Sequence, residues 1–190
     1  AFGHAVAKAA REMLSAKRPD VRIVGDDLHP LGKIKDFAPY ISKINASGAD
    51  SVITGNWGSD MALLVKAGRD AGLKVDYYTY YAGIVGGPAA IGEAGDGHVK
   101  QVSMWHVNVG GEKSDALVEA YRNRFPDAKD DFFFLSLQHA MELLVKAIEQ
   151  TGSTDPLMLA KALEGMSYQA ITGEVTVRKD NHQLLQPLFV

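Results

Sequence analysis

The chain has 190 residues, 46% of them hydrophobic, which is enough to build a core for one domain or two small ones. Its 20 basic and 23 acidic residues leave a net charge of −3 without blocks of either sign, so there is no basic stripe of the kind that nucleic acid or an anionic membrane would require. Cysteine is absent, which excludes disulfides, thiol catalysis and thiolate metal sites together. The longest apolar runs, FFFLSL from Phe132 and LLQPLFV at the end, fall far short of the roughly 18 residues a membrane-spanning helix needs.

In chain order, Val6, Ala9, Ala10, Met13 and Leu14 recur at helical spacing, predicting a helix from about Gly3 to Lys17 with one buried face, ended by Pro19. The chain opens on this helix without Met, and the expectation is that further sequence precedes it. Val21 to Gly25 is a short β-branched run that predicts a strand, followed by a loop rich in Asp, Pro and Gly. Asp36 stands at a helix N-cap position before FAPYISKINASG, with Phe37, Ile41 and Ile44 on one face and Gly48 as the stop. A strand at Ser51 to Thr54, a connection Gly55-Asn56-Trp57-Gly58, a helix from about Ser59 to Ala71 and a strand at Val75 to Tyr80 complete the alternation. Met61, Leu64, Val65 and Gly68 are the inward positions of that helix.

Such alternation predicts an α/β fold, a doubly wound parallel sheet with helices on both faces and right-handed crossovers. Ligands then bind beyond the carboxyl ends of the strands, which directs attention to the loops after Gly25, Thr54 and Tyr80. Beyond Tyr81 come a Gly-rich loop and a strand at Val99 to Trp105, then helices at Glu112 to Phe125, Phe132 to Gln150 and Pro156 to Met166. Asp155 caps the last of these, with Pro156 in its first turn. Strands at Glu174 to Arg178 and Pro187 to Val190 close the chain. Three successive helices need an apolar surface to cover, and the visible strands are too few to supply it. They are therefore expected to pack on a sheet encoded upstream, and the chain by itself should expose an apolar patch or self-associate.

Aromatic residues concentrate at the expected ligand edge: Phe2 beside Gly3, Trp57, and the run Tyr77-Tyr78-Thr79-Tyr80-Tyr81. Flat rings with polar tips suit a ligand with an apolar body and a charged head. Alternation assigns Tyr77 and Tyr78 to the strand itself, and assigns Trp57 and one of Tyr80 or Tyr81 to the site. Gly3 and Gly58-Ser59-Asp60 bring backbone N–H groups of two helix starts to the same edge. The spacing of Gly92, Gly95 and Gly97 does not follow a first strand and open a helix, so it is taken as loop and not as a dinucleotide motif. Six scattered histidines, His29 among them, show no metal-ligand spacing, no G-x-S-x-G elbow is present, and Asp26-Asp27 and Asp130-Asp131 suit solvated, helix-capping acids. No cofactor, no metal and no catalytic apparatus is expected.

Five stretches taken together resemble the branched-chain amino-acid (Leu/Ile/Val) type of periplasmic binding protein, of the type I fold: AFGHAVAKAA, DFAPYISKINASGADSVITGNWGSDMALLVKAGRDAGL, YYTYYAG, LVKAIEQTGSTDPLMLAKALEGM and GEVTVRKDNHQLLQPLFV. The resemblance runs over nearly the whole chain and implies the C-terminal half of a two-lobed parent. It places residues 1–105 in the second lobe, gives 106–168 to helices covering a first lobe, and returns 169–190 to the second. Ligand-binding residues implied are Phe2, Gly3, Asn56, Trp57, Tyr80 and Tyr81. Tyr80 or Tyr81 falls where amino-acid binders place an acid to hold the ligand ammonium, and that acid is missing here. The implied role is capture of a small organic acid or amino acid in an interlobe cleft for an ABC importer, with an inner-membrane permease as partner and the periplasm as location. A ligand-sensing domain of a regulator or receptor, or an enzyme on the same scaffold, are the competing functions.

Overall fold

A computed structural model describes residues 2–128 and 135–190. The chain forms two compact units, divided between Val102 and Ser103.

The first unit contains α1 (Phe2–Lys17), α2 (Ala38–Ser47), β1 (Ser51–Thr54), α3 (Gly58–Asp70), β2 (Asp76–Thr79), the short helix α4 (Gly87–Ile91) and β3 (Val99–Gln101). The three strands are parallel in the order β1-β2-β3, with Val52 opposite Tyr77 and Tyr77 opposite Val99. Because that order advances in one direction, right-handed crossovers put both connecting helices on the same face of the sheet. There Phe37 at the start of α2, Ile41 within it, Met61, Leu64 and Val65 of α3, Ile91 of α4 and Tyr77 form one buried core. Each fully buried aliphatic side chain of this kind contributes about 1.5–3 kcal/mol. On the other face Ile53 and Tyr78 are exposed, as the period of two along a strand requires.

Local chemistry explains most boundaries. Gly48 closes α2 at φ 67°, a left-handed conformation open to glycine at little cost. Asp36 accepts a hydrogen bond from the Ala38 N–H (2.8 Å), while Phe37 occupies the cap position proper. The Gly-rich segment is not a plain loop: α4 is followed by a 3-10 turn at Gly92–Gly95.

Two expectations fail in this unit. Val21 to Gly25 forms no strand, and Val21, Ile23 and Val24 are exposed. β-branched residues favour an extended chain, but a strand also needs a neighbour for its backbone groups, and this segment pairs with none. The helix α1 forms as expected yet has no buried residue, and Met13 is 59% exposed. Its apolar stripe is only half-covered by the described residues, at Val6, Ala10 and Leu14.

Gly68 of α3 faces the Tyr77 ring, and a Cβ there would stand closer to the Tyr77 hydroxyl oxygen than van der Waals contact allows. That hydroxyl is buried without a hydrogen-bond partner among the described residues, and burial pushes the phenol pKa up. Gly68→Ala is therefore expected to destabilise the fold by about 1–3 kcal/mol through overpacking. Tyr77→Phe removes an unsatisfied group and should be neutral or stabilising by up to about 1 kcal/mol. In the double variant much of the Gly68→Ala loss should be recovered. Urea unfolding midpoints of the three variants check this, and purely additive effects would contradict the clash.

The second unit contains α5 (Glu112–Arg124), α6 (Leu135–Thr151), α7 (Pro156–Leu163) and an antiparallel sheet of β4 (Ser167–Ala170), β5 (Gly173–Val177) and β6 (Leu184–Leu185) in the order β4-β5-β6. Asp155 caps α7 as expected, its Oδ1 accepting from the Leu157 and Met158 N–H groups at 3.0 Å each. The start of the expected helix at Phe132, and the pair Asp130-Asp131, lie outside the described residues. The strand expected at Val99 to Trp105 stops at Gln101; Ser103 instead makes a bridge to Phe189, and Trp105 is the centre of a second core with Val118 and Leu135. The helix expected to reach Met166 ends at Leu163, and β4 follows it. Of the expected C-terminal strand at Pro187 to Val190 only the Phe189 bridge forms, while Leu184–Leu185 pairs with β5.

Candidate functional site

The carboxyl ends of β1 and β2 are built by the same local device. Each ends in a buried threonine, Thr54 and Thr79, which face each other in register. Each hydroxyl accepts the N–H two residues on: Thr54 Oγ1 from Asn56 at 3.1 Å, Thr79 Oγ1 from Tyr81 at 3.2 Å. This side-chain turn breaks the ladder and throws Asn56-Trp57 and Tyr80-Tyr81 out at the edge of the sheet.

Phe2, the first residue of α1, joins that edge. Its ring centroid lies 5.9 Å from Trp57 and 5.9 Å from Tyr81, and Trp57 lies 6.1 Å from Tyr81. These spacings and the steep interplanar angles of the Trp57 contacts are those of favourable edge-to-face aromatic pairs. Tyr80 extends the group, 6.4 Å from Tyr81. The rings are not core: Phe2 is 43% exposed, Tyr80 42% and Trp57 36%. Glycine at position 55 lets α1 approach, since a Cβ there would lie 2.8 Å from Phe2 Cε1. The loop after β2 is held by the Gly83 N–H, which donates to Gln101 Oε1 of β3.

Thus Phe2, Trp57, Tyr80 and Tyr81 come together, with Gly3 next to Phe2 and Asn56 next to Trp57. The two helix starts differ. In α3 the first turn carries Asp60, which is buried and accepts from the Gly32 N–H at 2.8 Å, so that start already holds a carboxylate. In α1 the first turn carries no acid. Tyr77 is buried and Tyr78 exposed on the outer face, where Lys100 Nζ sits 5.6 Å from its ring, so neither belongs to the group.

The segment before α2, where a strand failed to form, supplies residues that the sequence analysis passed over. His29 Nε2 lies 2.9 Å from Asn56 Oδ1, and the ring packs edge-on against Phe37 (5.2 Å) and Tyr40 (5.7 Å). Leu28 is next to Gly3, its Cδ2 3.0 Å from where a Cβ would stand. The signal that could have found them was topological, since the loop after Gly25 was singled out; the census of scattered histidines then discounted His29. Asp26 and Asp27 do not cap helices. They pair with Arg11 of α1 and Lys43 of α2. Two open depressions lie away from this edge. One, about 450 Å³, is lined by Arg69, Tyr77 and His98 toward the start of β2. The other, about 610 Å³, lies in the second unit around Glu142, whose carboxylate already accepts from Tyr168 and Gln138.

Aromatic rings gathered beyond the carboxyl ends of parallel strands stand where α/β proteins bind their ligands. The chain belongs to the periplasmic binding protein family, whose profile matches residues 1–190. It is 32% identical over 179 residues to the Leu/Ile/Val-binding protein homolog 4 of Brucella melitensis, a match covering 93% of this chain and 43% of that protein. The fold is similar to a crystal structure of the leucine-, isoleucine-, valine-, threonine-, and alanine-binding protein of Brucella ovis in its closed conformation, with a TM-score of 0.80 and 28% identity over 92% of this chain and 46% of that one. A solute-binding protein of an ABC transporter from Rhodopseudomonas palustris HaA2, in complex with p-hydroxybenzoic acid, has a TM-score of 0.81 at 24% identity, covering 96% of this chain and 50% of that one. The chain therefore spans about half the length of the relatives it matches. As the segment order suggested, fold class and family agree with the resemblance drawn from the sequence.

Proposed function

We propose that this chain is part of a solute-binding component of an ABC importer, which captures a small organic acid in an interlobe cleft and delivers it in the periplasm to an inner-membrane permease. The observation that carries the reading is the half-exposed triangle of Phe2, Trp57 and Tyr81 at the carboxyl edge of the sheet. Phe2, Gly3, Asn56, Trp57, Tyr80 and Tyr81 form one wall of the site. The binding names of the relatives support a capture role and suggest no chemistry.

The ligand we propose is a carboxylate with an apolar or aromatic body and no α-ammonium. An ammonium in a closing cleft needs a carboxylate partner, because an unpaired buried charge is costly. As acceptors the aromatic group offers tyrosine hydroxyls and no carboxylate, and Asp60, the buried acid among the described residues of this unit, already accepts from the Gly32 N–H. The start of α1, free of acids, suits the ligand carboxylate.

We further propose that residues 106–168 cover a first lobe supplied by upstream sequence and that 169–190 return to the second. Support comes from α6 and α7, where Leu137, Met141, Leu144, Val145, Leu157 and Met158 are all exposed. An apolar stripe at helical spacing is ordinarily covered.

Isothermal titration of the protein at the length of its relatives, with benzoate, 4-hydroxybenzoate and leucine, tests the assignment. Heat is expected with an aromatic acid and none with leucine; tight leucine binding would overturn the ligand class. Residues 1–190 alone are expected to bind none of the three and to self-associate in sedimentation. A monomer with an intact site would refute the two-lobe arrangement.

A further inference from the structure

We infer that His29 is a positioning residue: it holds the Asn56 side chain so that its amide N–H₂, and not its carbonyl, faces the ligand edge. The inference rests on the proposed site and deepens it, because it states which hydrogen-bonding sense that wall offers.

A neutral imidazole has one N–H and one acceptor nitrogen. The two ring nitrogens of His29 each face an oxygen: Nε2 is 2.9 Å from Asn56 Oδ1, and Nδ1 is 3.3 Å from Pro30 O. In the neutral ring one proton cannot serve both, and we assign it to Nε2, the nitrogen with the shorter contact. Asn56 Oδ1 then accepts from His29 Nε2, and the Asn56 backbone N–H donates to Thr54 Oγ1. The side-chain group of Asn56 left for other partners is then Nδ2, a donor, beside Trp57.

The brace is held by contacts on several sides. The His29 ring is held edge-on by Phe37 and Tyr40, and Phe37 is buried in the core of the unit. The loop carrying His29 is anchored at Gly32, whose N–H donates to the buried Asp60 carboxylate of α3. Its neighbour Leu28 lies against Gly3 of α1. Two consecutive loop residues thus contact two separate parts of the proposed site, so this loop forms a side of it rather than a connection.

A wall that donates hydrogen bonds favours a ligand oxygen and disfavours an ammonium, which has only donors. With the opposite His29 tautomer, Asn56 would turn its carbonyl outward and the preference would reverse. The position of one proton on His29 therefore sets which class of ligand this edge accepts.

Two measurements separate this from the proposed function itself. First, ¹⁵N NMR of His29 in the ligand-free protein at neutral pH is expected to show the Nε2–H tautomer; the Nδ1–H tautomer overturns the inference whatever the protein binds. Second, 4-hydroxybenzoate affinity is measured for His29→Leu, His29→Gln, Asn56→Ala and the double variant His29→Leu/Asn56→Ala. His29→Leu is expected to weaken binding roughly tenfold, the scale of one oriented hydrogen bond. His29→Gln, which retains a donor, is expected to restore most of it. The double variant should be no weaker than Asn56→Ala alone; independent, multiplying losses would show that His29 does not act through Asn56. If the wild type binds none of the acids, the ligand class falls, and the tautomer still decides the positioning role.

Discussion

Trp57→Ala is expected to weaken ligand binding about thirtyfold or more, the scale of a well-packed aromatic anchor worth roughly 2 kcal/mol or above. Trp57 is the cap residue of α3, extended at φ −142° and ψ 168°, and its ring is propped edge-on by Phe2 and Tyr81. Removing it takes away a face for the ligand and also the support of two other rings. Trp57 is 36% exposed, so most of its area is already withdrawn from water in the free protein and folding should suffer too, by about 1–3 kcal/mol. Trp57→Phe keeps a flat face and should stay within about tenfold of the wild type. Calorimetry with an aromatic acid, together with a thermal melt of each variant, checks the split. An unchanged affinity for Trp57→Ala would remove the aromatic edge from consideration as a binding wall.

Trp105→Ala, by contrast, is expected to leave that edge untouched and to destabilise the second unit by about 3–5 kcal/mol. Trp105 is 1% exposed, and its Nε1–H donates to Ser114 Oγ at 2.9 Å. Ser103 Oγ accepts from the Trp105 N–H and donates to its carbonyl. The substitution opens a large cavity beside Val118 and Leu135 and leaves the buried Ser114 hydroxyl without its donor. A loss of that size is a large part of the stability of a small domain. Trp105→Phe should cost less, about 1–3 kcal/mol, and adding Ser114→Ala should recover part of it by removing the unsatisfied hydroxyl. Urea midpoints and near-ultraviolet circular dichroism measure both. A loss below about 1 kcal/mol for Trp105→Ala would mean that this ring is not the centre of the second core.

Much of the first unit was legible from local pattern. The β1-α3-β2 succession, the inward residues of α3 and the stop at Gly48 follow from periodicity of 3.6 and 2.0 and from a glycine where the chain must turn left-handed. The rings at the strand ends were likewise readable, because alternation separates Tyr77 and Tyr78 from residues past the last ladder bond. What failed shares one cause. Val21 to Gly25 has strand composition without a strand partner among the described residues, and the amphipathic stripe of α1 is only half-covered, at Val6, Ala10 and Leu14. Trp105 continues a β-like run and yet serves a different core from β3, and nothing local to residues 99–105 distinguishes those outcomes.

By itself the sequence determined the class of fold, the family, and which side chains stand at the carboxyl edge of the parallel sheet. These depend on spacing along the chain, which the residues carry with them. Only the tertiary structure decided that His29 rather than another histidine reaches Asn56, that Asp60 is occupied by Gly32, and that Trp105 anchors the second unit. Those facts depend on where segments 27, 28 or more residues apart come to rest. That is set by packing and by the pairing of buried polar groups, for which a linear pattern holds no address.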